Sequence, residues 1–129
     1  MIRVNLPHRG TDTYGSGDYL ASRGPRKHAG VDYACVPNSE VFSPVQGVIT
    51  KLGYAYGDDL TFRYVESTDN NGLRHRVFYI FPAVEVGDEV DENSIIGLAQ
   101  DLSPRYPGII PHVHYEIRDA NNDHRNPEL

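Results

Sequence analysis

Glycine and proline interrupt this chain along its whole length. Nine prolines and twelve glycines are spread over 129 residues, and no long window has apolar residues spaced at three and four, as an amphipathic helix requires. Apolar and polar residues alternate instead in "LTFRYVES" (60–67) and "LRHRVFYI" (73–80). The Asn71-Gly72 pair between these segments is a strong β-hairpin signal. The sequence therefore predicts a protein built from strands.

The remaining apolar segments are short and are bounded by turn residues. Strands are predicted in "EVFSPVQGVITKL", broken by Pro44 and Gly47, on both sides of the Gly-Asp turn in "VEVGDEV" and "SIIGLAQ", and in "HVHYEIR". A chain of this length suits one hydrophobic core. We predict an all-β fold, a single antiparallel β-sandwich or half-barrel domain over residues 1–129 with its core at about 15–129. Residues 14–30 are expected to form a long, irregular entry loop that carries function.

The charge of the chain argues against anionic partners. A formal net charge of -6 repels nucleic-acid phosphates and anionic lipid, and no apolar run approaches the roughly 20 residues that span a bilayer. We therefore expect no nucleic acid and no membrane as partner. The N-terminal segment lacks an apolar signal-peptide core, so synthesis in the cytoplasm is expected. Cys35 is the only cysteine, which excludes an internal disulfide and a cysteine-built zinc site.

His28 and Asp32 lie four residues apart in "KHAGVD". In a regular strand they would share a face but lie about 13 Å apart, too far apart to bind one ion. Gly30 between them can supply a bend or bulge that closes this gap. On its own, the pattern more commonly represents a surface histidine and a turn aspartate.

The strand "HVHYEIR" places His112, His114 and Glu116 on one face, because side chains alternate along a strand. The two imidazoles are expected about 7 Å apart at Cα, and only one of them can easily reach an ion already held by His28 and Asp32. Two nitrogens, one carboxylate oxygen and a fourth position for water form the pattern of a catalytic zinc site. The other histidine has a suitable pKa to move a proton. Glu116 is either a partner that orients His114 or a carboxylate at the rim.

The order of these motifs resembles the lysostaphin-type (LytM-like) zinc metallopeptidases. It runs from "RGPRKHAGVDYACVPNSEVFSPVQGVI" through "VGDEV" and "IIGLAQ" to "HVHYEIR", over about residues 15 to 129. The resemblance implies a duplicated hybrid-motif fold with a zinc groove, in which His28, Asp32 and His114 bind Zn²⁺. It also implies that His112 is the catalytic histidine and that the substrate is a peptide cross-link of bacterial peptidoglycan.

The phrasing "RG-R-HAGVD" with "HVH-E" is similar to phage-encoded members of this family. That similarity implies other virion or tail proteins as partners, and the virion or the cell wall as the location.

One position departs from the family pattern. The family has a histidine in a "Y-x-H" segment that faces the reacting water or the developing oxyanion. Here the segment is "YIF", with Tyr79 at the tyrosine and Phe81 at the histidine. Losing one such contact costs about 10² to 10³ in rate. Tyr79 or Tyr106 is the candidate to donate an O–H instead, whereas His75 is expected about 20 Å from Phe81 along the strand.

Several side chains are candidates for substrate binding. Tyr54, Tyr56 and Tyr106, near glycine and proline, are candidates to line a peptide groove. Arg26, in the basic cluster beside His28, is a candidate to meet a substrate carboxylate, although such clusters are ordinarily solvated.

Two functions remain open at this point. The first is a zinc-dependent metallo-endopeptidase with His112 as general base. The second is a catalytically inactive zinc-binding domain that binds peptide, glycan or a protein partner. The similarity of "VFYIFP" and "RYPGIIPHVHYE" to leukocyte cell-derived chemotaxin, a relative regarded as lacking peptidase activity, supports the second.

Overall fold

The computed structural model describes residues 6–12, 15–23 and 26–128, with the backbone alone for residues 22, 23, 26 and 27. Within these ranges every regular element is a strand, which confirms the predicted all-β class. The same ranges contain no helix of the length and hydropathy that crossing a bilayer requires. The strands are β1 (Thr11–Asp12), β2 (Gly15–Ser16), β3 (Ser22–Arg23), β4 (Arg26–Lys27), β5 (Val31–Ala34), β6 (Glu40–Phe42), β7 (Gly47–Tyr54), β8 (Arg63–Thr68), β9 (Arg74–Phe78), β10 (Ile80–Pro82), β11 (Glu89–Val90), β12 (Ile95–Ala99), β13 (His112–Arg118) and β14 (His124–Arg125).

The larger sheet is antiparallel and has β13 as its junction. Its order is β11-β7-β8-β9-β13, and β13 pairs with β9 on one side and with β5 and β14 on the other. The predicted hairpin is confirmed between β8 and β9, where Gly72 has a φ of +80° that glycine adopts without steric cost. Because β5 and β13 are neighbours, residues from the two ends of the chain lie side by side.

The smaller sheet, in the order β10-β12-β6, has one buried and one exposed face. Val41, Ile80 and Ile96 are buried, whereas Phe42 and Phe81 on the opposite face are 48% and 64% exposed. Strand alternation accounts for this division. The central core consists mainly of branched and aromatic side chains, namely Val31, Tyr33, Cys35, Val41, Ile49, Val65, Val77, Ile80, Val90, Ile96, Ala99, Val113, Tyr115 and Ile117.

Residues 6–12, which the predicted core leaves out, pack along β5. The N–H of Arg9 donates to the carbonyl of Asp32 (2.8 Å), and the N–H of Ala34 donates to the carbonyl of Pro7 (2.6 Å). The entry region at residues 14–30 that we expected to be irregular contains β2, which pairs with β1, and the antiparallel pair β3–β4. Each strand is two residues long, too short for an alternation pattern to appear in the sequence.

Candidate metal centre and cleft

Three electron-pair donors converge where β5 and β13 run side by side. His114 lies opposite Asp32 in this antiparallel pair, and His28 lies just before β5. The Nδ1 atom of His114 is 2.9 Å from Nε2 of His28 and 2.9 Å from Oδ1 of Asp32, and the latter two atoms are 3.1 Å apart. The structure thus brings together the three residues predicted to bind a metal ion.

The hydrogen bonds around the two imidazoles determine which nitrogen faces the centre of this triangle. His28 Nδ1 contacts the carbonyl of Asp18, and His114 Nε2 contacts Oε1 of Glu116, each at 2.9 Å. Because a carbonyl and a carboxylate only accept, these outer nitrogens donate, and in the neutral imidazoles that bind a metal the inner nitrogens present lone pairs beside Asp32. Three such donors repel one another unless a cation lies between them, and two imidazoles with one carboxylate suit Zn²⁺. The donor set therefore fits a zinc ion.

A buried arginine holds the second oxygen of Asp32. Arg9 Nη1 donates to Oδ2 of Asp32 (2.8 Å) and Arg9 Nε donates to Asp12 (3.1 Å), and the Arg9 side chain is 2% exposed. Burial opposes ionisation of Asp32, but in the metal-free protein its contacts with the protonated imidazoles of His114 and His28 outweigh burial and hold the pKa of Asp32 well below its usual value. Asp32 is therefore an oriented anion. Arg9 was missed from the sequence because nothing near it in the chain signals a contact with residue 32.

Glu116 orients His114, which settles the choice that the sequence left open. Its Oε1 accepts from His114, and its Oε2 accepts from Nε of Arg118 at 2.8 Å. Although burial opposes ionisation, these bonds lower the pKa of Glu116 to about 2. Burial also opposes the charged form of His114, but the hydrogen bonds that the protonated ring donates to Asp32 and Glu116 raise its pKa to about 9. Such carboxylate–imidazole pairs fix the tautomer and orientation of a metal-ligating histidine.

His112 lies beside the donor triangle without joining it. Its Nδ1 donates to the carbonyl of Ile110 (2.8 Å), and its Nε2 lies 3.5 Å from Oδ2 of Asp32. The proton on Nδ1 leaves a lone pair on Nε2. Burial lowers the pKa of His112, although the charge of Asp32 opposes this shift. The imidazole is therefore neutral near pH 7 and able to accept a proton.

Tyr79 stands next to His112 and is linked to two further tyrosines. Its φ of +71°, unusual for a bulky residue, interrupts the alternation between β9 and β10. The hydroxyl of Tyr79 lies 2.8 Å from that of Tyr56, which lies 2.8 Å from that of Tyr106. Burial raises the pKa of Tyr79 to about 12, so its O–H keeps its proton at neutral pH.

These groups line one cleft of about 430 Å³. Its lining residues are Arg9, His28, Ala29, Asp32, Ala55, Tyr56, Phe78, Tyr79, Tyr106, Ile109, His112, His114, Glu116 and Arg118. Tyr56 and Tyr106, two of the tyrosines expected to line a groove, thus line this cleft. Tyr54 lies elsewhere, half exposed, with the guanidinium of Arg63 4.5 Å from its ring.

The motif led us to expect Phe81 in the cleft beside His112, at the position of the family histidine, but Phe81 does not line the cleft. It is 64% exposed on the outer face of the smaller sheet, because the positive φ at Tyr79 turns that residue into the cleft instead. His75 is fully buried and bonds Tyr115, away from the cleft, so it does not replace the missing histidine. The side chain of Arg26 lies outside the described residues.

Comparison with known proteins identifies the family. Residues 26–127 match the model of peptidase family M23. The chain belongs to peptidase family M23. This M23 chain is 32% identical over 114 residues to leukocyte cell-derived chemotaxin-2 of Mus musculus, covering 88% of this chain and 75% of the relative. The predicted family resemblance is therefore confirmed.

Solved M23 structures share the fold of this chain. A point mutant of the catalytic domain of prophage-encoded M23 protein EnpA from Enterococcus faecalis has a TM-score of 0.66 at 24% identity, covering 96% of this chain and 95% of that one. The catalytic domain of the antimicrobial peptidase lysostaphin from Staphylococcus simulans has a TM-score of 0.65 at 21% identity, covering 98% and 90%. At these identities the likeness establishes the lysostaphin-type fold.

Proposed function

We propose that this M23 protein is a zinc-dependent metallo-endopeptidase that hydrolyses peptide cross-links of bacterial peptidoglycan. The observation that carries the proposal is the position of His112. Its proton-accepting Nε2 lies beside, and outside, a donor triangle that fits zinc, and both border the same cleft. A ligand set with a neighbouring free base is what water-dependent amide hydrolysis requires.

The residues of the chain divide the chemistry among them. His28, Asp32 and His114 would hold Zn²⁺, which when bound supplies a Lewis acid for the scissile carbonyl and lowers the pKa of water. His112 Nε2 accepts the proton of the attacking water and returns it to the leaving amine, while its Nδ1–H bond to the Ile110 carbonyl keeps the ring in the required tautomer. Positioned proton transfer of this kind contributes about 10² to 10⁴ in rate.

Tyr79 supplies the remaining electrostatic group in this proposal. Its O–H, on the cleft wall next to His112, donates to the oxygen that becomes negative during attack, the contribution that a preorganised donor makes in acyl transfer. Tyr56 and Tyr106 offer aromatic surface for the peptide. The kinship with a prophage-encoded protein and an antimicrobial peptidase supports a bacterial wall substrate, and action at the wall with other virion or tail proteins belongs to the same proposal.

The test is cleavage of purified peptidoglycan by the zinc-loaded protein, followed by quantification of new amine termini. Release by the wild type, with a loss of at least about 100-fold in His112→Ala at unchanged zinc content, is the expected result. His124→Ala serves as matched control, since His124 bonds Tyr19 and does not border the cleft. Equal release by wild type and His112→Ala would remove His112 from the mechanism.

A catalytically inactive zinc-binding domain is the second candidate. It is favoured by the 32% identity with a chemotaxin and by a tyrosine, Tyr79, beside His112. This alternative would be selected if the wild type releases no amine termini from several types of peptidoglycan while sedimentation shows that it still binds them.

A further inference from the structure

Three tyrosine hydroxyls meet on the cleft wall, and one guanidinium adjoins them. The hydroxyl of Tyr56 is central, 2.8 Å from those of Tyr79 and Tyr106. Arg105 lies with its Cζ 3.7 Å from the centre of the Tyr56 ring, and its Nε donates to the Tyr106 hydroxyl at 3.3 Å. The Tyr56 ring also packs edge-on against buried Phe62, so the group has a defined geometry.

The hydroxyl hydrogens of this group can point along the chain in either of two directions. A guanidinium only donates, so Tyr106 is the acceptor at the Arg105 end. If each hydroxyl then donates onward, Tyr106 donates to Tyr56 and Tyr56 donates to Tyr79, and the O–H of Tyr79 remains for a group in the cleft. Head-to-tail chains of this kind polarise and strengthen each successive bond. In the opposite direction Tyr79 donates its proton to Tyr56, and the Tyr79 oxygen that faces the cleft can then only accept a hydrogen bond.

We propose that Arg105 is a positioning residue that directs the Tyr79 O–H into the cleft through Tyr106 and Tyr56. The proposal rests on the proposed function, because it assigns the Tyr79 O–H to an oxyanion formed there. Arg105 itself borders none of the metal-binding residues and acts through the hydroxyl chain.

The other contacts of Arg105 do not account for its placement. Its Nη1 lies 3.7 Å from Asp58 and 3.6 Å from Asp59, and the Asp58 side chain is 79% exposed. Exposed ion pairs of this length contribute little to stability. The stack on Tyr56 and the bond to Tyr106 are the contacts that define the orientation of the guanidinium.

Equilibrium binding of inorganic phosphate to the zinc-loaded protein tests this role without turnover. Phosphate offers a tetrahedral oxyanion to the cleft, and titration calorimetry gives its Kd for wild type, Tyr79→Phe, Arg105→Met and the double variant. We expect Tyr79→Phe to weaken phosphate binding about 10- to 100-fold, as the loss of a hydrogen bond to a charged group does. Arg105→Met should weaken it several-fold in the wild type and by less than twofold in the Tyr79→Phe background.

The double-variant cycle separates the relay from a direct charge effect. Equal losses from Arg105→Met in both backgrounds would mean that Arg105 attracts the anion directly, and the proposal would be wrong. An unchanged Kd in Tyr79→Phe would overturn it as well. Arg63→Met is the matched control, because Arg63 also lies over a tyrosine, Tyr54, and should leave the Kd unchanged.

Tyr106→Phe tests the same chain without removing a charge. It breaks the link between Arg105 and Tyr56, and its effect on the phosphate Kd should likewise vanish when Tyr79 is already Phe. This variant decides the question if Arg105→Met fails to fold by circular dichroism. Non-additive effects of Arg105→Met and Tyr79→Phe on the phosphate Kd, without any peptidoglycan cleavage, would support the role of Arg105 and reject the peptidase. Cleavage of peptidoglycan, combined with additive losses of phosphate affinity in the cycle, would support the peptidase and reject the role of Arg105.

Discussion

The phenol ring of Tyr79 lies edge-on to the imidazole of His112, with ring centroids 5.6 Å apart and ring planes at 89°. The two side chains reach the same cleft from different strands of the chain, His112 from the start of β13 and Tyr79 from the break between β9 and β10. One carries a lone pair and the other carries a proton at neutral pH. A proton acceptor and a proton donor therefore stand side by side next to the donor triangle.

This pairing predicts the effect of removing the Tyr79 hydroxyl. Tyr79→Phe keeps the ring but should lower kcat on peptidoglycan by about 10² to 10³, the loss typical of one oxyanion donor, with zinc content unchanged. Tyr54→Phe, outside the cleft, is the control for losing a tyrosine hydroxyl. A kcat within twofold of wild type would show that the Tyr79 O–H does not contact the reacting oxygen.

The zinc content of the purified protein should depend on His114. The purified protein should contain about one zinc ion per chain, bound by His28, Asp32 and His114. His114→Ala should lose it, because two remaining ligands do not hold zinc through dialysis. Elemental analysis of both proteins, with His8→Ala as an exposed-histidine control, measures this. Full zinc retention in His114→Ala would refute the assigned ligand set.

Arg9 predicts how far metal affinity depends on the orientation of Asp32. Arg9→Met removes the donor to Oδ2, so the orientation of the carboxylate is less firmly fixed, and the Kd for zinc should rise about 10- to 100-fold. Competition with a chromophoric chelator measures the Kd. Arg125→Met is the matched control, because the side chain of Arg125 is 59% exposed and pairs with Asp119. Equal affinities in the two variants would leave Arg9 with a purely structural role.

Gly30 predicts a steric requirement at the same site. A Cβ at residue 30 would overlap the carbonyl oxygen of Tyr115 and lie 2.9 Å from Cε1 of His114. Gly30→Ala should therefore lower the free energy of unfolding by about 1–3 kcal/mol and weaken zinc binding. Gly57→Ala, where a Cβ meets nothing within 4 Å, should do neither. Urea unfolding and zinc titration compare the two.

His75 predicts a pH dependence of stability. This fully buried imidazole bonds Asp69 through Nε2 and the Tyr115 hydroxyl through Nδ1, each at 2.8 Å, and burial lowers its pKa despite the opposing effect of Asp69. The unfolded chain then binds a proton below about pH 6.5 that the folded protein does not bind. The contribution of His75 to the free energy of unfolding should therefore fall as the pH falls from about 7 to about 5.5, opposite in sign to that of His114, whose pKa is raised.

The measurement is urea unfolding in excess chelator at both pH values, so that metal binding does not contribute. His75→Phe should be less stable at neutral pH, since it leaves Asp69 and Tyr115 without this partner, but should lose less stability on acidification than the wild type. His8→Gln controls for an exposed histidine, because the His8 side chain is 49% exposed. A pH dependence in His75→Phe equal to that of wild type would contradict the assignment.

The sequence alone determined the features that depend on local periodicity. Alternation along residues 112–118 placed His112, His114 and Glu116 on one face, and Asn71-Gly72 specified the hairpin between β8 and β9. Turn chemistry and the two-residue period of a strand act between chain neighbours, so they can be read without knowing the partner strand. The family resemblance added that Asp32 and His114 belong to one site, and the β5–β13 register places the two residues opposite each other.

Only the tertiary structure decided which distant groups meet. Arg9 reaches Asp32 across 23 residues, and the Tyr56 and Tyr106 hydroxyls meet across 50, contacts for which no local pattern exists. Tyr79 rather than Phe81 faces the cleft, and this depends on the positive φ of Tyr79, which the flanking residues do not reveal. Local patterns set which face of a strand a side chain occupies, whereas contacts between remote segments depend on how the complete sheets pack.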